Sequence, residues 1–96
     1  MQTLEPICKF QLFVAGDTPN SIEALGNLTR LCREYLAGRH EIDVVDVFLE
    51  PARALAEGVF MTPTLIRLTP SPIRIVGTMG NADVIFQALG LQMEPR

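Results

Sequence analysis

The side chains of this 96-residue sequence with the clearest capacity for chemistry are two cysteines, Cys8 and Cys32, and a single histidine, His40. Two thiols so far apart in sequence make neither a disulfide framework nor a metal-ligand cluster. They read as reduced thiols in a cytoplasmic protein. A serine nucleophile would need a positioned base. The candidate, Ser21, closes the segment Thr18-Pro19-Asn20-Ser21. His40 falls in the turn beyond the next helix and reads as a solvated turn residue. No catalytic constellation emerges, so the expectation is a binding protein and not an enzyme, without metal or cofactor.

The composition sets further bounds. Apolar residues make up 48% and charged residues 20%, ordinary values for one domain burying a modest core. The chain has no Trp and a net charge of -3, which argues against base stacking and against a phosphate-binding surface. The start, Met1-Gln2-Thr3-Leu4-Glu5-Pro6, lacks the basic n-region and apolar run of a secretory signal. No stretch approaches the ~20 apolar residues of a membrane span. The expected location is the cytoplasm.

The elements that must position these residues alternate between strand and helix. Residues 7–15 are apolar and nearly alternating, which suits a strand covered on both faces. Thr18 can cap a following helix with Pro19 at its first position. Ile22, Leu25, Leu28, Leu31, Cys32, Tyr35 and Leu36 recur at three- and four-residue steps and form its expected apolar face. Gly38 suits a left-handed C-terminal cap, and Arg39 suits the negative end of the helix dipole. A second strand is expected over 41–49, rich in Ile and Val, then a short helix opened by Pro51 and stopped by Gly58. Strands over 64–68 and 73–76 are close enough for an antiparallel hairpin, and a last helix is expected over 80–91, with Asn81 as its cap.

The order β-α-β-α-β-β-α specifies an α/β domain with one mixed four-stranded sheet and helices on both faces. This is similar to the thioredoxin-like plan. Redox members of that fold place Cys-x-x-Cys at the start of the first long helix. Here Thr18-Pro19-Asn20-Ser21 stands in that place, so dithiol exchange is not expected. Thr62-Pro63-Thr64 falls where the fold carries a cis-proline before the third strand. An ordinary trans-proline opening a strand is equally compatible with the local sequence.

Several segments together resemble one family. Leu12-Phe13-Val14-Ala15-Gly16-Asp17-Thr18-Pro19-Asn20-Ser21, followed by Ala24, Leu25 and Leu28, looks like the opening of KaiB proteins. Val45-Asp46-Val47 with Pro51 looks like their second strand. Met61-Thr62-Pro63-Thr64-Leu65 and Pro72-Ile73-Arg74-Ile75-Val76-Gly77 are similar to their Thr-Pro-Thr-Leu and Pro-Val-Arg segments. The resemblance runs in order over about residues 8–91.

The resemblance implies a non-enzymatic adaptor for a KaiC-type hexameric ATPase and autokinase. It would act in circadian timing or in a related stress or environmental response. It also implies traffic with KaiA-like or histidine-kinase signalling proteins, and two alternative states. One state is a thioredoxin-like monomer that binds KaiC. The other is a tetramer with a rearranged C-terminal half. The regular last helix favours the thioredoxin-like state. The partner-binding residues implied are Thr18, Pro19, Asn20, Glu23, Pro63 and Arg74. Pro63 would set the backbone, Asn20 the loop, and Glu23 and Arg74 the charge complementarity. Glu23 and Gly26 replace basic residues usual along the first helix, Gly58-Val59-Phe60 replaces a usual lysine, and the acidic tail is reduced. Such changes alter partner choice. Gly26, inside a helix, reads as drift or as close approach of a partner surface. Two other readings are a thiol-dependent enzyme using Cys8 or Cys32, and a sensor module for a histidine kinase or other signalling protein.

Overall fold

The segment Cys8–Val14 forms β1, the strand around which the remainder is arranged. In the computed structural model, which describes residues 7–69, 72–77 and 80, it lies inside the sheet. Four further elements follow before the last strand: α1 (Pro19–Tyr35), β2 (His40–Asp46), α2 (Pro51–Ala56) and β3 (Thr64–Thr69), with β4 at Ile73–Val76. The sheet order is β2-β1-β3-β4. β1 runs parallel to β2 in the register Cys8↔His40 to Val14↔Asp46, and antiparallel to β3, where Phe13 faces Thr64. β3 and β4 form the expected antiparallel pair, Thr64↔Val76 to Arg67↔Ile73. The helix expected over 80–91 lies outside the described residues apart from Gly80.

Alternation along β1 builds two separate cores, one on each face. Cys8, Phe10, Leu12 and Val14 pack with Ala24, Leu28, Leu31, Cys32 and Leu36 of the α1 side, and with Leu65. Phe13 points the other way and joins Val45, Ala54, Val59 and Ile66 under α2. Cover on this second face is incomplete, against expectation: Lys9 is exposed and Gln11 only half-buried, because the six-residue α2 spans too little of the strand.

Three further expectations are corrected. The buried face of α1 is Ser21, Ala24, Leu28, Leu31 and Cys32, while Ile22 is 60% exposed and Leu25 and Tyr35 also face solvent. Ile22 lies about 120° around the helix from Leu28, too far to share its face. β2 stops at Asp46, not Leu49. Asp46 turns the chain, its Oδ1 accepting from the Phe48 amide at 2.9 Å and its carbonyl from the amides of Leu49 and Glu50. A local side-chain turn of this kind overrides the strand preference of Val47 and Phe48. His40 is not a solvated turn residue. It opens β2, half-buried, and its Nδ1–H donates to the Leu36 carbonyl at 2.8 Å.

Candidate functional site

The C-terminal ends of β1 and β2 and the N-terminal end of β3 lie at one end of the sheet, since Val14 is level with Asp46 and Phe13 with Thr64. That end gathers the loop after β1, with Thr18, Pro19 and Asn20, and the segment that leads through Pro63 into β3. Thr18 has the extended backbone of an N-cap and Pro19 occupies the first turn. The Thr18 side chain makes no cap bond, however. Its Oγ1–H donates to Ser21 Oγ at 2.8 Å, and Ser21 Oγ also accepts the Ala15 amide at 3.0 Å. Ser21 is thereby the buried tie of this loop and not a presented nucleophile. Pro19 and Asn20 are exposed beside it.

Pro63 is buried and follows a cis peptide bond, which resolves the question the sequence left open. Glu23 is exposed on α1. Arg74 lies elsewhere. Along β4, Ile73 and Ile75 pack toward the α1 side, so Arg74 projects from the opposite face. There its guanidinium donates to the carbonyls of Glu57, at 2.6 Å, and Gly58, at 3.4 Å. Four of the six expected residues thus share the sheet end, Glu23 extends them along α1, and Arg74 sits on the other face.

The sequence reading missed a group of apolar side chains that the fold leaves in solvent. Phe48 and Leu49 precede α2, Leu55 lies on it, and Phe60 and Met61 follow it; all are exposed, Phe60 at 85%. Phe60 and Met61, with Gly58, Thr64, Arg74 and Val76, line a shallow recess of about 190 Å³. The available signal was their position. Phe60 and Met61 fall in a loop, outside any helical or strand period, where a large apolar residue less often has a core position to fill.

The thiols are placed for packing. Cys8 and Cys32 are both free and buried in the α1-side core. Burial, aided by the neighbouring Cys8, pushes the Cys32 thiol up to about 12, so at neutral pH it is no nucleophile. Arg53 of α2 bridges Asp43 of β2 and Glu50, an exposed pairing that raises the guanidinium further. Among the described residues, no three His, Cys, Asp or Glu side chains are grouped to hold a metal, and no helix is long and apolar enough to cross a membrane.

This architecture is the thioredoxin-like one, with Thr18-Pro19-Asn20-Ser21 where redox members carry their dithiol. Solved structures share it. The N-terminal domain of Synechococcus elongatus SasA superposes with a TM-score of 0.72 at 21% identity, covering 100% of this chain and 95% of that one. Fasciola hepatica thioredoxin does so with a TM-score of 0.71 at 16% identity, covering 92% and 84%. Sequence comparison goes further. A family model described as the KaiB domain matches residues 11–91. The circadian clock protein KaiB3 of Synechocystis sp. is 36% identical over 86 residues, 88% of this chain and 82% of that protein. The circadian clock oscillator protein KaiB of Thermostichus vulcanus is 34% identical over 95 residues, 98% and 88% of the two chains. This chain belongs to the KaiB family.

Proposed function

We propose that this protein is a non-enzymatic adaptor that docks on a KaiC-type hexameric ATPase and modulates its assembly, in circadian timing or in a related stress or environmental response. The observation that carries the reading is the KaiB-domain match over residues 11–91, shared with relatives named as circadian clock proteins. The exposed apolar side chains around α2 support a protein partner, since such residues are retained where a partner covers them. The docking surface comprises Thr18, Pro19 and Asn20 at the sheet end, where buried Pro63 sets the backbone, Glu23 on α1, and the loop that Arg74 contacts. A KaiA-like protein or a histidine kinase would meet the adaptor on the same assembly.

The test is light scattering coupled to size exclusion. The protein is run alone, then with the KaiC-type ATPase of its own organism and nucleotide. The expected result is a monomer that joins the hexamer. A tetramer that joins slowly would keep the function and reverse the resting state. A failure to join any such ATPase would defeat the proposal. Unchanged binding in a variant combining Glu23→Arg with Arg74→Glu would remove the proposed surface.

A further inference from the structure

The segment between α2 and β3 carries its largest side chains outward. Phe60 and Met61 are 85% and 64% exposed, and only Val59 and Pro63 are buried. Apart from the Val59 anchor, burial of apolar area therefore contributes little to fixing Gly58, Phe60 and Met61. Polar contacts must hold these three. From the flanking elements, Thr64 Oγ1–H of β3 donates to the Met61 carbonyl at 2.5 Å, and the Val59 amide donates to the Ala54 carbonyl of α2 at 2.9 Å. The Gly58 amide also donates to the Leu55 carbonyl at 3.1 Å, and further ties come from β4 and the residue after it. The Gly77 amide donates to the Pro63 carbonyl at 2.9 Å, and Arg74 grips the carbonyls of Glu57 and Gly58.

The Arg74 contact is placed where it counts most. α2 has only six residues, and the chain leaves it through Gly58 at φ 68°. A helix end leaves carbonyls without helical partners and carries partial negative charge. A guanidinium meets both conditions, offering forked donors and a positive charge. The same guanidinium borders the recess that Phe60 and Met61 line.

From this geometry we infer that Arg74 is a positioning residue: it fastens the end of α2 to β4 so that Phe60 and Met61 are held outward in one arrangement on the docking surface. The inference rests on the adaptor reading and deepens it. Its first consequence, however, is visible in the free protein without any partner. Arg74 acts through the loop and not by offering its charge to the ATPase.

The test is amide hydrogen exchange of the free protein, followed by affinity for the KaiC-type ATPase. Arg74→Ala speeds exchange at the Gly58 and Val59 amides roughly tenfold and leaves Phe13 and Leu65 unchanged. It weakens binding by a similar factor. Arg74→Lys restores both in part, since an ammonium reaches one carbonyl but cannot span two. Phe60→Ala weakens binding while Gly58 and Val59 exchange as before. Weakened binding in Arg74→Ala with unaltered loop exchange would overturn the inference and assign Arg74 to direct contact, leaving the adaptor function intact. A loosened loop with undiminished binding would overturn it too, by separating the loop from docking. If Arg74→Ala does not fold, the Lys variant carries the same comparison.

Discussion

Phe48 closes over Gly16: a Cβ built on the glycine would stand 3.6 Å from the Phe48 ring, which is ordinary contact. The ring therefore does not exclude a side chain at this position. The backbone does, because Gly16 holds φ at 58°.

Gly16→Ala is therefore expected to cost about 1 kcal/mol, the strain of an L-residue in the left-handed region. Adding Phe48→Ala should recover little of it, because the steric contact is not the cause. Urea unfolding midpoints of the single and double variants measure both effects. Full recovery in the double variant would show that crowding against the ring sets the cost.

Gly26 is the opposite case. It lies within α1 and a Cβ there meets nothing within 4 Å. Gly26→Ala should stabilise the protein by about 0.5–1 kcal/mol, the helix-propensity difference. If the glycine reflects drift, affinity for the ATPase stays as it was. If it reflects close approach of a partner, the more stable variant binds less tightly, so thermal denaturation and a binding titration together decide.

Ser21 Oγ serves the Ala15 amide and the Thr18 hydroxyl together. Ser21→Ala leaves that amide without its acceptor and should cost about 1–2 kcal/mol. Thr18→Ala removes only the hydroxyl that leans on Ser21 and should cost less than about 1 kcal/mol. The ranking can be read from chemical denaturation. Equal losses would mean that Thr18 has a capping role its geometry does not display.

Cys32 makes stability depend on alkali. Its folded thiol is raised from 9.0 to about 12, first by burial and then by Cys8, so the folded state favours the neutral form. This contribution is complete below pH 9. It declines between pH 9 and 12 as unfolded thiols ionise and folded ones do not, by up to about 1.4 kcal/mol for each pH unit. Urea midpoints of the wild type and Cys32→Ala, under reducing conditions from pH 8 to 11, should converge as pH rises. A constant separation would mean that Cys32 ionises in the folded protein as it does in the unfolded one.

Much of the fold could be read directly, and the misses have common causes. Pro19 at the start of α1, Gly38 and Gly58 at left-handed helix exits, and the whole of β4 follow from local chemistry. Arg39 meets the end of α1 as expected, donating to the Tyr35 carbonyl at 3.3 Å. The end of β2 was missed because Val47 and Phe48 look like strand, while a single aspartate, Asp46, decides the turn. The α1 face was misassigned because Ile22 and Leu25 are large and regular, whereas the buried positions go partly to small residues, Ser21 and Ala24.

For the site, proximity along the chain served well and tertiary contact did not. Thr18, Pro19 and Asn20 are neighbours in sequence, and Pro63 joins them through strand register. Nothing in the sequence ties Arg74 to Glu57 and Gly58, because that contact depends on how β4 and α2 pack across the sheet. The exposure of Phe60 and Met61 was signalled only weakly, by their place in a loop that buried Val59 shares. Sequence hydrophobicity alone does not say which residues the fold will leave uncovered.

The division of the interior into two clusters has a thermodynamic consequence. Among the described residues, ten buried side chains lie on the α1 face and only five under α2, and the sheet separates them. A helix anchored by so small a cluster detaches at lower free energy than the longer one opposite, without the whole molecule unfolding. The molecule is therefore layered in its resistance to opening, with a durable half formed by β1 and α1. The half that bears Phe48, Phe60 and Met61 is the one that gives way first, so a partner that covers it would lend stability where the free protein has least.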